Sequence, residues 1–179
     1  MVNSIRKCKD DQGELLEDFS QVKSHTLSYF QKLLNQDRST APVHHIEISK
    51  TLTVEEQQQL SERFSDEDVK QVVLNSPKLK SPGPDGFPVE FYQSCWSIVG
   101  KDLCAAVHHF FSTGRLLKQV GETFITLIPK DECADSLDQF RPISLCNFVY
   151  KVISKLIANK LHRVLDRIIS PFQMAFIKG

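Results

Sequence analysis

The chain has 179 residues, 41% hydrophobic and 25% charged, with zero formal net charge, the profile of one globular domain or of one domain with a helical extension. No apolar run is long enough to span a bilayer, and residues 1–7 lead into charge rather than into an apolar leader. The expectation is an intracellular protein, nuclear or cytoplasmic, with no membrane partner. Its five cysteines, Cys8, Cys95, Cys104, Cys133 and Cys146, are odd in number and scattered, with no C-x-x-C pair, which argues against a disulfide framework or a zinc site.

The zero net charge hides an asymmetry. From Phe140 onward, Arg141, Lys151, Lys155, Lys160, Arg163, Arg167 and Lys178 face only Asp166. A basic C-terminal part suits a polyanionic partner, and solvated lysines along a helix give the same count.

In chain order, residues 5–16 read as a hairpin, because Asp10-Asp11-Gln12-Gly13 is a turn cluster between short apolar segments. Over residues 17–34, Phe19, Val22, Leu27, Phe30 and Leu33 recur at helical spacing. Residues 35–50 read as an extended surface connection, with His44-His45 better explained as loop residues than as ligands. Thr53 with Glu56 forms a capping box that opens a helix to about Arg63. Ser65 with Asp68 forms a second box, with Phe64 and Val69 placed as a hydrophobic staple. Val69, Val72 and Val73 share one face of that second helix, which fades at Asn75-Ser76-Pro77.

The helix delivers the chain into "KSPGPDGF", residues 80–87. Proline fixes φ and lacks a donor, and glycine opens left-handed backbone space, so the run makes a tight loop with exposed amides. Such a loop is either a connecting turn or a place where a phosphate backbone approaches the main chain, with Lys78 and Lys80 alongside. Residues 88–96 should then form a short helix with Phe91, Tyr92 and Cys95 or Trp96 inward. Leu103, Val107, Phe110 and Phe111 mark a longer helix ended by Gly114. Within it, His108 and His109 point about 100° apart, one at the core edge and one in solvent.

Residues 123–128 are β-branched and aromatic and stop at Pro129, and residues 141–145 form a second strand candidate. With the polar stretch 130–139 between them, they predict a hairpin with a long tip. Finally, Asn147 is placed to cap a long helix with Val149, Val152, Ile153, Leu156, Ile157, Leu161, Val164, Leu165 and Ile168 on its apolar face, halted by Ser170-Pro171.

The segments "SPGPDGF" (81–87), "FYQSCW" (91–96), "ITLIPK" (125–130), "FRPISLCNFVYKVISKLIANKL" (140–161) and "IISPFQMAFIKG" (168–179) resemble, in order and spacing, the reverse transcriptase of LINE-type non-LTR retrotransposons, plant elements in particular. The resemblance covers about residues 64–179 and is looser over 5–34, which is similar to the segment upstream of the polymerase. It implies an N-terminal helical extension (1–63) and a partial reverse transcriptase domain (64–179). The implied fold is α+β, mostly helical: the fingers and start of the palm of a right-hand polymerase, with a small antiparallel hairpin.

The resemblance further implies that Lys130 and Arg141 reach the triphosphate of an incoming nucleotide. It places Lys80, Gly83, Asp85 and Gly86 of the loop, and Gln173, Phe176 and Gly179 of "QMAFIKG", near the template. A point charge and a planar guanidinium on one hairpin suit phosphate oxygens; the alternative for Arg141 is an ion pair with a neighbour such as Asp138. RNA template and DNA primer are the implied partners, and Mg²⁺ and dNTP the implied cofactor and substrate of the intact enzyme.

The palm carboxylates of that two-metal chemistry lie, in the family, beyond the "Q-x-x-F-x-x-G" segment. Residues 1–179 contain no pair to replace them: Asp10-Asp11 belongs to the first turn, and Asp85-Gly86 is turn chemistry. The expectation is therefore no catalytic residue, no metal or dNTP held by this piece alone, and no polymerase activity from it. The alternatives are a non-enzymatic RNA- or DNA-binding module and a pseudogene product without function. A further expectation is self-association through an uncovered apolar patch around Ile153, Leu156, Ile157 and Leu161.

Overall fold

A computed structural model describes residues 5–35 and 51–168. The chain divides into two compact units that do not follow sequence order: residues 1–46 with 125–144, and residues 47–124 with 145–179. The division crosses both strands of the second hairpin.

In the first unit, β1 (Cys8–Lys9) and β2 (Leu15–Leu16) pair antiparallel, Cys8 opposite Leu16. The turn between them closes as the sequence predicts: Asp10 Oδ1 accepts from the amides of Gln12 and Glu14, both at 2.9 Å, and Gly13 supplies the positive φ of 85°. Helix α1 (Phe19–Asn35) follows, its first amides met by Asp18 Oδ1. Of its predicted apolar stripe, Val22 and Phe30 are buried, while Phe19, Leu27 and Leu33 are exposed.

The same unit holds most of a second hairpin, β3 (Thr123–Pro129) paired with β4 (Phe140–Cys146). Its long tip contains a 3-10 turn, Leu137–Gln139, that the sequence reading lacked. The tip is fastened to β1: Lys9 N donates to Asp135 O at 2.6 Å, and Lys9 Nζ pairs with Asp135 Oδ2 at 2.6 Å. Cys8 and Leu137 are buried there, and burial raises the Cys8 thiol pKa.

The second unit is helical. Helices α2 (Val54–Ser61) and α3 (Asp66–Leu74) start at reciprocal capping boxes, Thr53 with Glu56 and Ser65 with Asp68. Helix α4 (Val89–Ser94) leads into α5 (Trp96–Thr113), which ends on Gly114 in the left-handed region at φ 68°. A single-turn α6 (Lys118–Gly121) and the long α7 (Phe148–Ile168) complete the unit. The core joins Val69, Val72 and Val73 of α3, Val89 and Tyr92 of α4, Leu103 and Val107 of α5, and Phe148, Val152, Ile153 and Leu156 of α7. Tyr92 stacks on Phe148 with ring centroids 4.7 Å apart. Burial, with Asp85 adding to it, pushes the Tyr92 phenol up to about 12.

This core corrects the expected apolar patch. Ile153 and Leu156 are buried, because α3, α4 and α5 supply partners for α7 within the unit. Ile157 and Leu161 remain half-exposed on a groove of about 930 Å³ that Phe64 and Phe111 also line. His108 sits at the core edge with Nε2 2.7 Å from Asp66 Oδ1, and His109 is exposed, as their spacing predicts. Residues 36–50, including His44-His45, lie outside the described residues.

Candidate functional site

The expected site residues fall in different compact units. Lys130 and Arg141 belong to the hairpin unit. Lys130 directly follows β3, and its amide donates to Gln139 O at 2.8 Å. Lys130 and Arg141 therefore flank the tip of one hairpin, the first just after β3 and the second within β4. Lys130 Nζ donates to Asp138 O at 2.7 Å, closing the tip and leaving two of its three donors for other acceptors. The Arg141 guanidinium is exposed and has no acceptor among the described residues. The ion pair with Asp138 does not form; Asp138 offers its carbonyl to Lys130 instead.

The loop residues belong to the helical unit. Gly86 N donates to Gly83 O at 3.0 Å, so residues 83–86 form a β-turn with Pro84 at its second position. Asp85 Oδ1 accepts from Phe87 N at 3.1 Å, and Gly86 takes φ 75°. Asp85 is a turn residue, as expected from Asp-Gly. Lys78 and Lys80 are exposed beside the turn. Between them Leu79, 95% exposed, adopts φ 60°, and its amide donates to Glu90 Oε1 at 2.6 Å. That amide and Glu90's own hold the Glu90 carboxyl below its ordinary range. Phe87, half-exposed, stacks on Phe91 with centroids 4.6 Å apart. Gln173, Phe176 and Gly179 lie outside the described residues.

The residue that organises the loop is one the sequence reading placed elsewhere. Asn147 opens α7, as expected, but its side chain does not serve the helix's own amides. Oδ1 accepts from Asp85 N at 3.0 Å, and Nδ2 donates to Gln119 O at 2.8 Å and Val120 O at 3.2 Å. Only 2% of Asn147 is exposed. Gly83 lies so close that a Cβ there would stand 2.4 Å from both Asn147 N and Oδ1. This contact, more than any freedom of φ, requires glycine at 83. Lys151, one turn along, donates from Nζ to Ser81 O at 3.0 Å.

The basic residues of α7 are thus partly engaged within the unit. Lys160 Nζ donates to Leu60 O and Glu62 O at the end of α2, and lies 4.3 Å from the centre of the Phe64 ring. Arg167 grips the Glu56 carboxylate and donates to Thr51 O. No local sequence signal marks these bonds, because their partners are about a hundred positions away. Lys155 and Arg163 are exposed. Among the described residues, no group of three His, Cys, Asp or Glu side chains converges as a metal seat. Nor is any described helix long and apolar enough to cross a membrane.

No family model matches the chain. It is similar to the transposon TX1 uncharacterized 149 kDa protein of Xenopus laevis, 28% identical over 172 residues, covering 94% of this chain and 13% of that protein. The chain is therefore related to a transposon protein and corresponds to a small part of that relative's length.

Proposed function

We propose that residues 1–179 are the fingers and early-palm segment of a non-LTR retrotransposon reverse transcriptase, which holds an RNA template and the triphosphate of an incoming dNTP. The observation that carries this reading is the placement of Lys130 and the exposed Arg141 at the tip end of one hairpin. It supports the order of the five sequence segments, and the relation to a transposon protein agrees with it. Arg141 offers a planar fork of donors and Lys130 a compact charge, so together they can neutralise phosphate oxygens from two directions. Mg²⁺ belongs in this reading to the intact polymerase, and the two-metal step to palm carboxylates that residues 1–179 do not supply. This segment contributes binding and orientation.

Titration of the chain with a dNTP, followed by ligand-observed NMR, tests the reading. Without the palm, wild type should bind only weakly, with an affinity that falls as salt rises. Arg141→Ala should weaken it about tenfold or more, the scale of a charge-assisted hydrogen bond, and Arg141→Lys should restore it only in part. The same 179 residues should extend no primer with Mg²⁺ or Mn²⁺. Equal binding by wild type and Arg141→Ala would overturn the assignment of Arg141, and template-dependent extension would overturn the division of labour.

A further inference from the structure

We infer that Asn147 is a positioning residue that fixes the height and orientation of the loop at residues 81–87 over the start of α7. Three observations meet at this side chain, and a fourth lies one turn along α7. Asn147 is almost fully buried, and both ends of its amide are used: the oxygen takes Asp85 N–H, and the nitrogen gives its two hydrogens to Gln119 O and Val120 O. Gly83 presses against its backbone and its oxygen with no room for a methyl group. Lys151 adds a second tie from α7 to the same loop, at Ser81 O.

The chemistry explains why asparagine stands here. The position needs an acceptor toward the loop and a two-hydrogen donor toward α6 within one short planar group. Aspartate keeps the acceptor but turns a second oxygen toward two carbonyls. Leucine of similar size keeps neither, and leaves the Asp85 amide and both carbonyls without a partner. Because Asp85 N is tied to Asn147 and Asp85 Oδ1 to Phe87 N, the clamp reaches through Asp85 to the exposed Phe87 ring. It therefore sets which way Lys80 and Phe87 face the solvent. In naming what this loop then meets, an RNA strand held by phosphate contacts and an exposed ring, the inference rests on the proposed function. The clamp itself does not.

Amide exchange read residue by residue on the full chain tests the clamp, together with anisotropy of a labelled single-stranded RNA. In wild type the Asp85 amide should be protected. Asn147→Ala should speed its exchange roughly tenfold and loosen the Val120 and Gly121 amides of α6. Asn147→Asp should retain much of the protection at Asp85 while still loosening α6. That split follows from losing the donor and keeping the acceptor, and a residue acting only by filling space would not produce it. Gly83→Ala should free the Asp85 amide with Asn147 intact, and far-UV circular dichroism should show the helices of all three variants formed.

RNA affinity should fall several-fold in Asn147→Ala and Gly83→Ala alike, with the salt dependence kept, since the phosphate-facing lysines remain. An Asp85 amide that exchanges freely in wild type, or one indifferent to both Asn147→Ala and Gly83→Ala, would overturn the clamp. A protected Asp85 in a wild type that binds no RNA would overturn the proposed function and leave the clamp standing. Unchanged RNA affinity in a loop shown to be freed would remove the clamp's role in positioning.

Discussion

The helical unit draws its buried side chains from α3, α4, α5 and α7 and ties them with long-range polar bonds: Asn147 to Asp85, Lys151 to Ser81, Gln93 to the end of α3, Lys160 to the end of α2. The hairpin unit buries Cys8, Val22, Phe30 and Leu137 and leaves Phe19, Leu27, Leu33, Ile125 and Ile128 largely in water. Among the described residues its polar bonds are mostly local, such as the Asp10 turn, while Lys9–Asp135 reaches far along the chain. Burial of apolar area is the dominant favourable term in folding, so the two units stand on different footings. The helical unit closes its own core. The hairpin unit has its shape set mainly by turns and by one strand-to-tip fastening, and that suits the display of Lys130 and Arg141 on an exposed ribbon.

The sharpest way to break this contrast is to remove one leucine from each unit. Leu156 is 2% exposed, among Val69, Val107 and Val152, so Leu156→Ala removes packed methyl groups and leaves a cavity. A loss of about 2–5 kcal/mol is expected, read as a lowered urea midpoint. Leu27, 53% exposed on α1, should change stability by no more than about 0.5 kcal/mol on truncation to alanine. Equal losses at the two positions would mean that the hairpin unit has a core comparable to that of the helical unit.

What could be read from the sequence divides by separation along the chain rather than by unit. Both capping boxes, the Gly114 stop, the Asp10 turn and the two strands of the second hairpin depend on residues within a few positions of one another, and the sequence places them correctly. The helical periodicity of α7 is equally plain. Its partners were not, and the expectation of an uncovered Ile153–Leu156 face failed because α3 and α5, far away in the chain, cover it. Asn147 was misread for a related reason. Asparagine before a helix has a ready local use, yet Asp85 is 62 positions away and Gln119 is 28. The charges of Lys151, Lys160 and Arg167 count toward a basic surface in the sequence, but in the fold they close helix ends and loops. Among the basic residues of α7, Lys155 and Arg163 are exposed and make no such tie.

A smaller effect is expected at the caps, where the two units again differ. Ser65 Oγ accepts from Asp68 N at 3.1 Å, and Asp68 returns the bond to Ser65 N at 2.8 Å. Ser65→Ala should cost about 1 kcal/mol, because α3 carries three buried valines whose placement depends on its first turn. Asp10→Ala also removes an acceptor shared by two amides, but on an exposed turn. It should show as faster exchange at Gln12 and Glu14 while the main urea midpoint stays where it was. A midpoint that moved as far with Asp10→Ala as with Ser65→Ala would make the first hairpin a partner in the cooperative core.

The smallest effect is electrostatic and lies at the surface of the helical unit. Arg167 holds the Glu56 carboxylate from two sides, with the Thr53 amide assisting, and the Glu56 pKa falls to about 2 from an ordinary value near 4.5. A carboxyl with a depressed folded-state pKa contributes stability that is complete above its unfolded pKa. That contribution fades as pH drops from about 4.5 toward about 2, because the unfolded chain takes up the proton first. Arg167 is exposed and Glu56 partly so, so salt screens the pair and its share of the total is small. A carbon-detected titration of the Glu56 carboxyl should find its midpoint near 2. In Arg167→Ala the midpoint should rise only part of the way back, since the capping box with Thr53 persists, and added salt should raise the wild-type midpoint without moving that of the variant as far. A wild-type midpoint at the ordinary glutamate value would show that Arg167 does not fasten α7 to α2 in solution, leaving Lys160 as the tie between those helices.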